Sequence, residues 1–138
     1  MKLLNALSIT TLFFISTFCS SGSESTNVLI NDIWALKSIE GEDYKIDSTL
    51  EQQPIIEIHL NDERLNGNTG CNQMDGKVYV KGNEIVFTDI ITTKMFCGGN
   101  LEQKFLSALS KVNNYKIEKM RLFLYEDKIE KLVLIKVD

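Results

Sequence analysis

KVYVKGNEIVF, residues 77–87, is the stretch of sequence that decides the fold of this chain. Apolar and polar side chains alternate along residues 77–81, and Gly82 and Asn83 separate that run from a second one, which begins at Glu84. Alternation with a period of two is typical of a strand with one buried face. A Gly–Asn pair between two such runs is typical of a hairpin. The stretch therefore predicts two neighbouring antiparallel strands.

The same alternation predicts strands on both sides of this hairpin. Residues 67–72 are rich in glycine and asparagine and predict a tight loop before it. Residues 90–96 continue its second strand as extended chain. The other predicted strands are residues 33–39, residues 56–60, a short strand around Leu65, and residues 115–120, 121–125 and 129–137. Short connections between consecutive strands favour an antiparallel order.

One segment has the period of a helix instead. Its apolar side chains recur every three or four positions, with Asn100 placed as the N-cap and Asn113 beyond the last turn. Those apolar side chains are Leu101, Phe105, Ala108, Leu109 and Val112. Strand twist accumulates across many short strands, and closure removes exposed edges. The sequence therefore predicts a mainly β (α+β) fold, in which one α-helix packs on a strongly curved antiparallel sheet.

Residues 1–19 have the features of a bacterial signal peptide. Lys2 precedes an apolar stretch, residues 3–18, which is shorter and more polar than the ~20 apolar residues of a membrane-spanning helix. The polar residues that come next begin a flexible tether, which we place at residues 20–30. We therefore expect export, no transmembrane helix, and one folded domain over residues 31–138.

Cys19 is the predicted attachment site of a lipid. A cysteine at the end of the apolar stretch resembles a bacterial lipoprotein signal, in which that cysteine becomes the lipidated first residue of the mature chain. Phe18 departs from the small residue usual before it, and ordinary cleavage beside the small residues that follow is the alternative. We expect a lipoprotein of the cell envelope, in the outer membrane. Ordinary cleavage would give a periplasmic or secreted protein.

The charge balance of the chain is acidic. It has 19 Asp and Glu against 15 Lys and Arg, a formal net charge of −4. Nucleic-acid binding needs a clustered basic face, whereas the basic residues here alternate with apolar ones, as they would on a solvated sheet face. No nucleic-acid partner is expected.

With 138 residues, the chain is long enough for one domain, which we expect to be a monomer.

Cys71 and Cys97 are the strongest site candidates, since both lie in glycine-flanked segments. In an exported domain they meet an oxidising compartment, so we expect a structural pair, either a disulfide or two packed thiols. A redox-active or metal-binding pair is the alternative. It is disfavoured because no CxxC spacing exists and zinc requires four nitrogen or sulfur ligands. Asn72, between Gly70 and Gly76 in the same predicted loop, is expected to brace that loop.

No catalytic constellation is evident in the sequence. His59 is the only histidine, and its alternation with apolar neighbours places it on the polar face of a strand, without a serine or cysteine motif beside it. Glu102 is expected to be a solvated surface carboxylate. Met95 and Phe96 are expected to fill the core. The alternative is that they form a contact patch beside Cys97 together with Lys94. We expect neither an enzyme nor a cofactor or metal site.

Two motifs carry a family resemblance. Gly70-Cys71-Asn72 with Gly76, and TTKMFC at residues 92–97, resemble the META domain, the HslJ-like family of bacterial envelope proteins. Further residues agree with that family over roughly residues 32–136: Trp34, Leu36, residues 54–60, Arg64, Gly67, Glu102, Phe105, Leu109, Leu122 and Leu124. Lys94 stands where Arg is usual. The resemblance implies a lipocalin-like curved antiparallel sheet with one helix, in envelope proteins that are often lipoproteins and have no established catalytic activity.

Two functions follow as hypotheses. The first is a non-catalytic envelope lipoprotein that supports the envelope under stress through contact with an envelope protein. The second is a carrier that holds a small apolar ligand inside the curved sheet. The many large apolar side chains available to fill the interior favour the first.

Overall fold

The computed structural model of the protein describes residues 28–45 and 52–137. The predicted signal peptide, Cys19 and most of the predicted tether lie outside these residues. The described part contains nine β-strands, one main helix, α1 (Leu101–Lys111), and a 3₁₀ turn at Leu60–Asp62. The strands are β1 (Ile33–Ile39), β2 (Glu42–Asp43), β3 (Ile55–His59), β4 (Arg64–Asn68), β5 (Gln73–Lys81), β6 (Glu84–Thr92), β7 (Asn114–Glu118), β8 (Arg121–Glu126) and β9 (Ile129–Lys136).

The strands of the described chain form one antiparallel sheet that closes on itself. Their order is β2-β1-β3-β4-β5-β6-β7-β8-β9, and β1 pairs with both β3 and β9. In the closing pair, Trp34 lies opposite Lys136 and Ile39 lies opposite Leu132. The predicted fold class, a strongly curved antiparallel sheet with one packed helix, is confirmed.

The closed sheet has its shortest strand pairing between β6 and β7. A single residue pair, Glu84 opposite Asn114, joins these two strands. Two backbone hydrogen bonds flank it, from the Ile85 N–H to the Asn113 carbonyl and from the Tyr115 N–H to the Asn83 carbonyl. α1 connects the two strands in sequence and packs against β1, β6 and β9, and its own Phe105 is fully buried. The helix therefore covers the part of the core that the sheet leaves open.

Apolar side chains fill the interior of the closed sheet. The indole of Trp34 is buried, and its N–H donates to the Ile30 carbonyl at 2.9 Å. The largest fully buried side chains are Trp34, Phe105, Ile30, Leu36, Ile56, Ile58, Leu65, Met74, Ile85, Leu109, Leu122 and Leu124. These side chains come from most of the strands and from the helix, so the curved sheet and α1 share one packed core.

The predicted loop at residues 67–72 is shorter than expected. Gly67 belongs to β4, so the loop spans only residues 69–72. Gly67 lies opposite Ile56, and a Cβ at Gly67 would collide with the carbonyl oxygen of Ile55. This glycine therefore allows a close approach between two strands and does not form a turn.

Gly76, predicted as part of the loop motif, lies inside β5. The register between β5 and β6 shifts between Asp75 and Lys77, so that Gly76 faces two residues, Asp89 and Ile90, in a β-bulge of β6. A Cβ at Gly76 would lie 3.0 Å from the carbonyl oxygen of Thr88. Bulges bend and twist a strand, so the position contributes to the curvature of the sheet rather than to the loop.

Candidate functional site

Cys71 and Cys97 are joined by a disulfide, with their Cα atoms 5.9 Å apart. Of the two structural pairings that the sequence left open, the structure shows the covalent one. The bond links the loop after β4 to the segment after β6. We call this end of the closed sheet the disulfide end; it comprises residues 69–72, residues 93–97 and the first turn of α1.

The side chain of Asn72 connects the parts of the disulfide end. It is buried, and its nitrogen donates to both carboxylate oxygens of Glu102, at 3.0 Å each, and to the Met95 carbonyl at 3.1 Å. Its oxygen accepts from the Met95 N–H at 2.7 Å and from the Thr93 hydroxyl at 2.8 Å. Asn72 therefore braces its own loop, the segment after β6 and the helix together.

Thr69 and Glu102 complete this hydrogen-bonded cluster. The Thr69 hydroxyl is buried, donates to Glu102 at 2.8 Å and accepts from the Asn72 N–H at 3.0 Å. The Thr69 N–H donates to the Asn72 carbonyl at 2.8 Å. The expectation that Glu102 is a solvated surface carboxylate is wrong: the side chain is partly buried and its oxygens accept from two side chains of the loop. Sequence spacing carried no signal for this contact, because it joins segments 30 residues apart.

Gly70 is required by the shape of the same loop. Its φ is +94°, a left-handed conformation that side chains disfavour, and a Cβ there would lie 3.2 Å from the Gln52 carbonyl oxygen and 3.3 Å from Pro54. Its N–H donates to the Asn68 side-chain oxygen at 2.9 Å. The glycine therefore lets the loop pack closely against the segment that leads into β3.

Met95 and Phe96 lie on the surface of the disulfide end, so the expectation that they fill the core is wrong. Phe96 is 96% exposed and Met95 is 55% exposed. The buried Asn72 amide holds the Met95 backbone from the inside, which leaves these two side chains outside. Beside them lies a shallow cleft of about 90 Å³, lined by Cys71, Met95, Phe96, Cys97, Gly98, Gly99, Glu102 and Gln103. Both side chains are therefore exposed beside Cys97.

The META domain family model matches residues 27–138, and Gly70-Cys71-Asn72 meets residues 93–97 of the second motif at the disulfide end. This chain belongs to the META domain family. The loop motif and the TTKMFC segment, which are separate in sequence, are joined in this META domain by the Cys71–Cys97 bond and by the Asn72 side chain.

Solved structures resemble this META domain in fold. An NMR structure of a protein from Burkholderia xenovorans aligns with a TM-score of 0.65 at 18% identity, over 99% of this chain and 97% of that one. A crystal structure of a DUF4847 family protein from Bacteroides vulgatus aligns with a TM-score of 0.55 at 15% identity, over 81% of this chain and 98% of that one. Likeness at these identities shows the fold alone. Among curated proteins, none matches the chain.

The remaining candidate residue, His59, lies apart from the disulfide end. Its Nε2 is 3.1 Å from a Glu57 carboxylate oxygen, and both side chains are partly exposed on β3. Among residues 28–45 and 52–137, no group of three or more His, Cys, Asp and Glu side chains could hold a metal ion. Within the same residues, none of the helices combines the length and apolar character needed to cross a membrane.

Proposed function

We propose that this META domain is a non-catalytic protein of the cell envelope, anchored in the outer membrane through a lipid on Cys19, that supports the envelope under stress by binding another envelope protein at its disulfide end. The observation that carries this proposal is the exposure of Phe96 on a backbone that is fixed on both sides. Asn72 holds the preceding residue, Met95, and the disulfide holds the following one, Cys97.

An exposed aromatic side chain on a fixed loop is suited to binding. Aromatic residues and Met are enriched in protein interfaces, and a loop that is already ordered loses little conformational entropy when it binds. Ile91, on the strand that leads into this segment, is 69% exposed and adds to the apolar surface. We call Ile91, Met95 and Phe96 the contact patch. Its chemistry fits an apolar pocket on a protein.

The position of the contact patch supports a protein partner rather than the membrane that holds the anchor. The amino-terminal residues lie at the opposite end of the closed sheet, where the Leu60 N–H donates to the Asn31 side chain at 2.8 Å. The disulfide end packs on Pro54, through Gly70. Pro54 and Leu60 flank β3, and six residues of strand span about 20 Å. A chain anchored at Cys19 would present the contact patch away from its own membrane.

The packed interior supports this function over the ligand carrier. A pocket for a small molecule commonly occupies about 300–1,000 Å³, whereas side chains such as Leu36, Ile56 and Leu122 fill the centre of the closed sheet and are fully buried. The cleft between β2 and the start of α1, about 230 Å³, lies at the surface, where exposed residues such as Glu42, Asp43 and Lys104 line it. A non-catalytic role is further supported by the separation of His59 from the Asn72 cluster.

Site-specific photo-crosslinking in cells tests the protein contact. A photoreactive amino acid at Phe96 is expected to give a discrete adduct with an envelope protein. The matched control is the same probe at Ile129, which is 62% exposed in the β8–β9 hairpin. No adduct from position 96, or the same adduct from both positions, would contradict the proposed contact.

The anchor is tested separately by intact mass spectrometry of the chain purified from membranes. We expect a mature protein that begins at Cys19 and carries the added mass of a diacylglycerol group. A Cys19→Ser chain is expected to lose that mass and to leave the membrane fraction. A mature chain that begins after Cys19 and carries no lipid would overturn the anchor and leave the protein contact standing.

A further inference from the structure

The end of the closed sheet opposite the disulfide carries a second group of exposed apolar side chains. We call it the N-terminal end; it comprises residues 28–32 and the turn between β7 and β8. Val28 is 74% exposed and Met120 is 55% exposed. The two segments are neighbours, because Asp32 forms an ion pair with Lys136 at 2.6 Å and the Lys136 N–H donates to the Met120 carbonyl at 3.0 Å. Leu29 and Val137 are also exposed there.

Two cations flank Met120 at the tip of the β7–β8 hairpin. Lys119 and Met120 have φ values of +50° and +61°, the conformation of a type I′ turn that projects its side chains from the end of a hairpin. Lys119 and Arg121 are both exposed. The carboxylate next to them, Glu118, lies 2.8 Å from Lys116, and this ion pair lowers the pKa of Glu118.

Among residues 28–45 and 52–137, the other carboxylates near the N-terminal end do not cancel this charge. Asp32 is bound to Lys136. Asp62 and Glu63 lie in and just after the 3₁₀ turn that follows β3, beside Asn31. They are separated from the hairpin tip because β3 and β9 flank β1 from opposite sides. The hairpin tip is therefore locally cationic in a protein whose net charge is −4.

We infer that the N-terminal end docks on an anionic lipid surface, with Met120 and Val28 in the interface and Lys119 and Arg121 beside the headgroups. Apolar side chains next to cations match a bilayer surface that carries negative charge, and a basic patch commonly adds to a lipid anchor as a second membrane signal. Position also favours this occupant. The nine residues from Cys19 to Val28 span at most about 30 Å, so the proposed anchor keeps this end close to the bilayer. Only this orienting step rests on the proposed function.

Vesicle binding without the lipid anchor tests the inference. The mature chain from residue 20 is exported behind a cleavable secretion signal and mixed with phosphatidylglycerol–phosphatidylethanolamine vesicles, or with phosphatidylcholine vesicles, and the bound fraction is measured by sedimentation. We expect binding to the anionic vesicles only. Lys119→Glu is expected to weaken it roughly 5- to 30-fold, and Met120→Ser is expected to weaken it several-fold.

The β8–β9 hairpin offers matched controls, because it lies at the end of β8 and β9 opposite the β7–β8 turn. It presents an exposed Lys128 beside Ile129, so Lys128→Glu and Ile129→Ser repeat the same changes on the other side of the molecule and are expected to leave vesicle binding unchanged. A cooperative thermal unfolding transition is the check that each variant is folded. As a second measurement, a polarity-sensitive dye on Met120→Cys is expected to shift its emission to the blue with anionic vesicles.

Three outcomes would overturn the inference. These are equal binding to both kinds of vesicle or to neither, equal weakening by Lys119→Glu and Lys128→Glu, and a dimer of the free chain that Met120→Ser abolishes. The last would show that this end binds a second copy. None of them bears on the crosslink from Phe96, so the inference and the proposed protein contact can fail independently.

Discussion

The Asn72 side chain donates to both carboxylate oxygens of Glu102, at 3.0 Å each, and so ties the loop before β5 to the first turn of α1. The same side chain accepts from the Met95 N–H. Three separate segments of the chain therefore depend on one buried amide. The exposed contact patch is held from inside by this arrangement.

Asn72→Ala is expected to lower the free energy of unfolding by about 2–4 kcal/mol, because it leaves the Met95 N–H without its acceptor and the Glu102 carboxylate with only the Thr69 hydroxyl. Urea unfolding measures the change. Asn83→Ala, an exposed asparagine in the β5–β6 turn, is the control and is expected to stay within about 0.5 kcal/mol of the parent chain. Equal losses for the two variants would remove Asn72 from its assigned role.

Loss of the Cys71–Cys97 bond is expected to destabilise the fold without changing it. A loop closed over a sequence separation of 26 has a chain-entropy value of roughly 3–4 kcal/mol. The Cys71→Ser, Cys97→Ser double variant should therefore unfold at lower urea concentration with an unchanged circular dichroism spectrum. The unreduced parent chain should not react with a thiol reagent at either cysteine, and full labelling would contradict the bond.

Gly70→Ala is expected to cost more stability than Gly82→Ala. Both glycines have positive φ, but a Cβ at Gly70 also meets the Gln52 carbonyl oxygen at 3.2 Å, whereas nothing lies within 4 Å of one at Gly82. We expect a loss of about 1 kcal/mol at Gly82 from the left-handed conformation alone and about 2 kcal/mol or more at Gly70. Urea unfolding of the two variants compares them directly, and the reverse order would contradict the packing argument.

Phe96→Ser is expected to separate binding from stability. The side chain is almost fully exposed, so the free energy of unfolding should change by less than about 0.5 kcal/mol, while the envelope protein found by crosslinking should no longer co-purify. Phe105→Ala, in the buried face of α1, is expected to cost about 3–5 kcal/mol. A Phe96→Ser chain that unfolds as readily as the Phe105→Ala chain would show that Phe96 has a structural role.

Lys131 gives the stability a dependence on pH. Its Nζ lies 3.0 Å from carboxylate oxygens of both Glu40 and Glu126. The hydrogen bond between Lys131 and Glu40 lowers the pKa of Glu40 and raises the pKa of Lys131. A carboxyl group whose pKa is lowered by folding stabilises the fold at pH values above its unfolded pKa. That stability is lost as the pH falls through the folded pKa. The lysine, whose pKa is raised by folding, stabilises the fold at neutral pH. That stability is lost as the pH rises through the folded pKa of the lysine.

Lys131→Met tests this dependence. The difference in unfolding free energy between the parent chain and the variant is expected to be larger at neutral pH than at about pH 3, below the usual glutamate pKa of about 4.3. Urea unfolding at the two pH values measures it. A difference that does not change with pH would assign the effect to packing of the lysine side chain rather than to its charge.

Local patterns predicted the strands and the helix of this META domain well. The alternation at Val78 and Val80 marked β5, but its first residues, 73–76, were missed because Met74 is the only apolar side chain among them. The helix was found where predicted, although the Asn100 side chain makes no capping hydrogen bond at its start. Tertiary pairing, and not local preference, sets these details.

The cluster at the disulfide end could be predicted only in part. Glycine and asparagine in the loop indicated a brace, and two cysteines in an exported domain indicated a structural pair. The contact from Asn72 to Glu102 joins distant segments, so no spacing rule reveals it. Hydrophobicity alone predicts that Phe96 lies in the core. In the structure, the Asn72 amide binds the Met95 backbone from the inner side, so the Met95 and Phe96 side chains lie outside.

The single residue pair between β6 and β7 gives the closed sheet one weak place in its circumference. Opening there requires α1 to move away from the core, and the first turn of that helix is fastened to the Asn72 loop through Glu102. Backbone amides along this seam should therefore exchange with deuterium faster than those in the β1–β9 pair. Besides presenting Phe96, the disulfide end therefore limits local opening of the domain between β6 and β7.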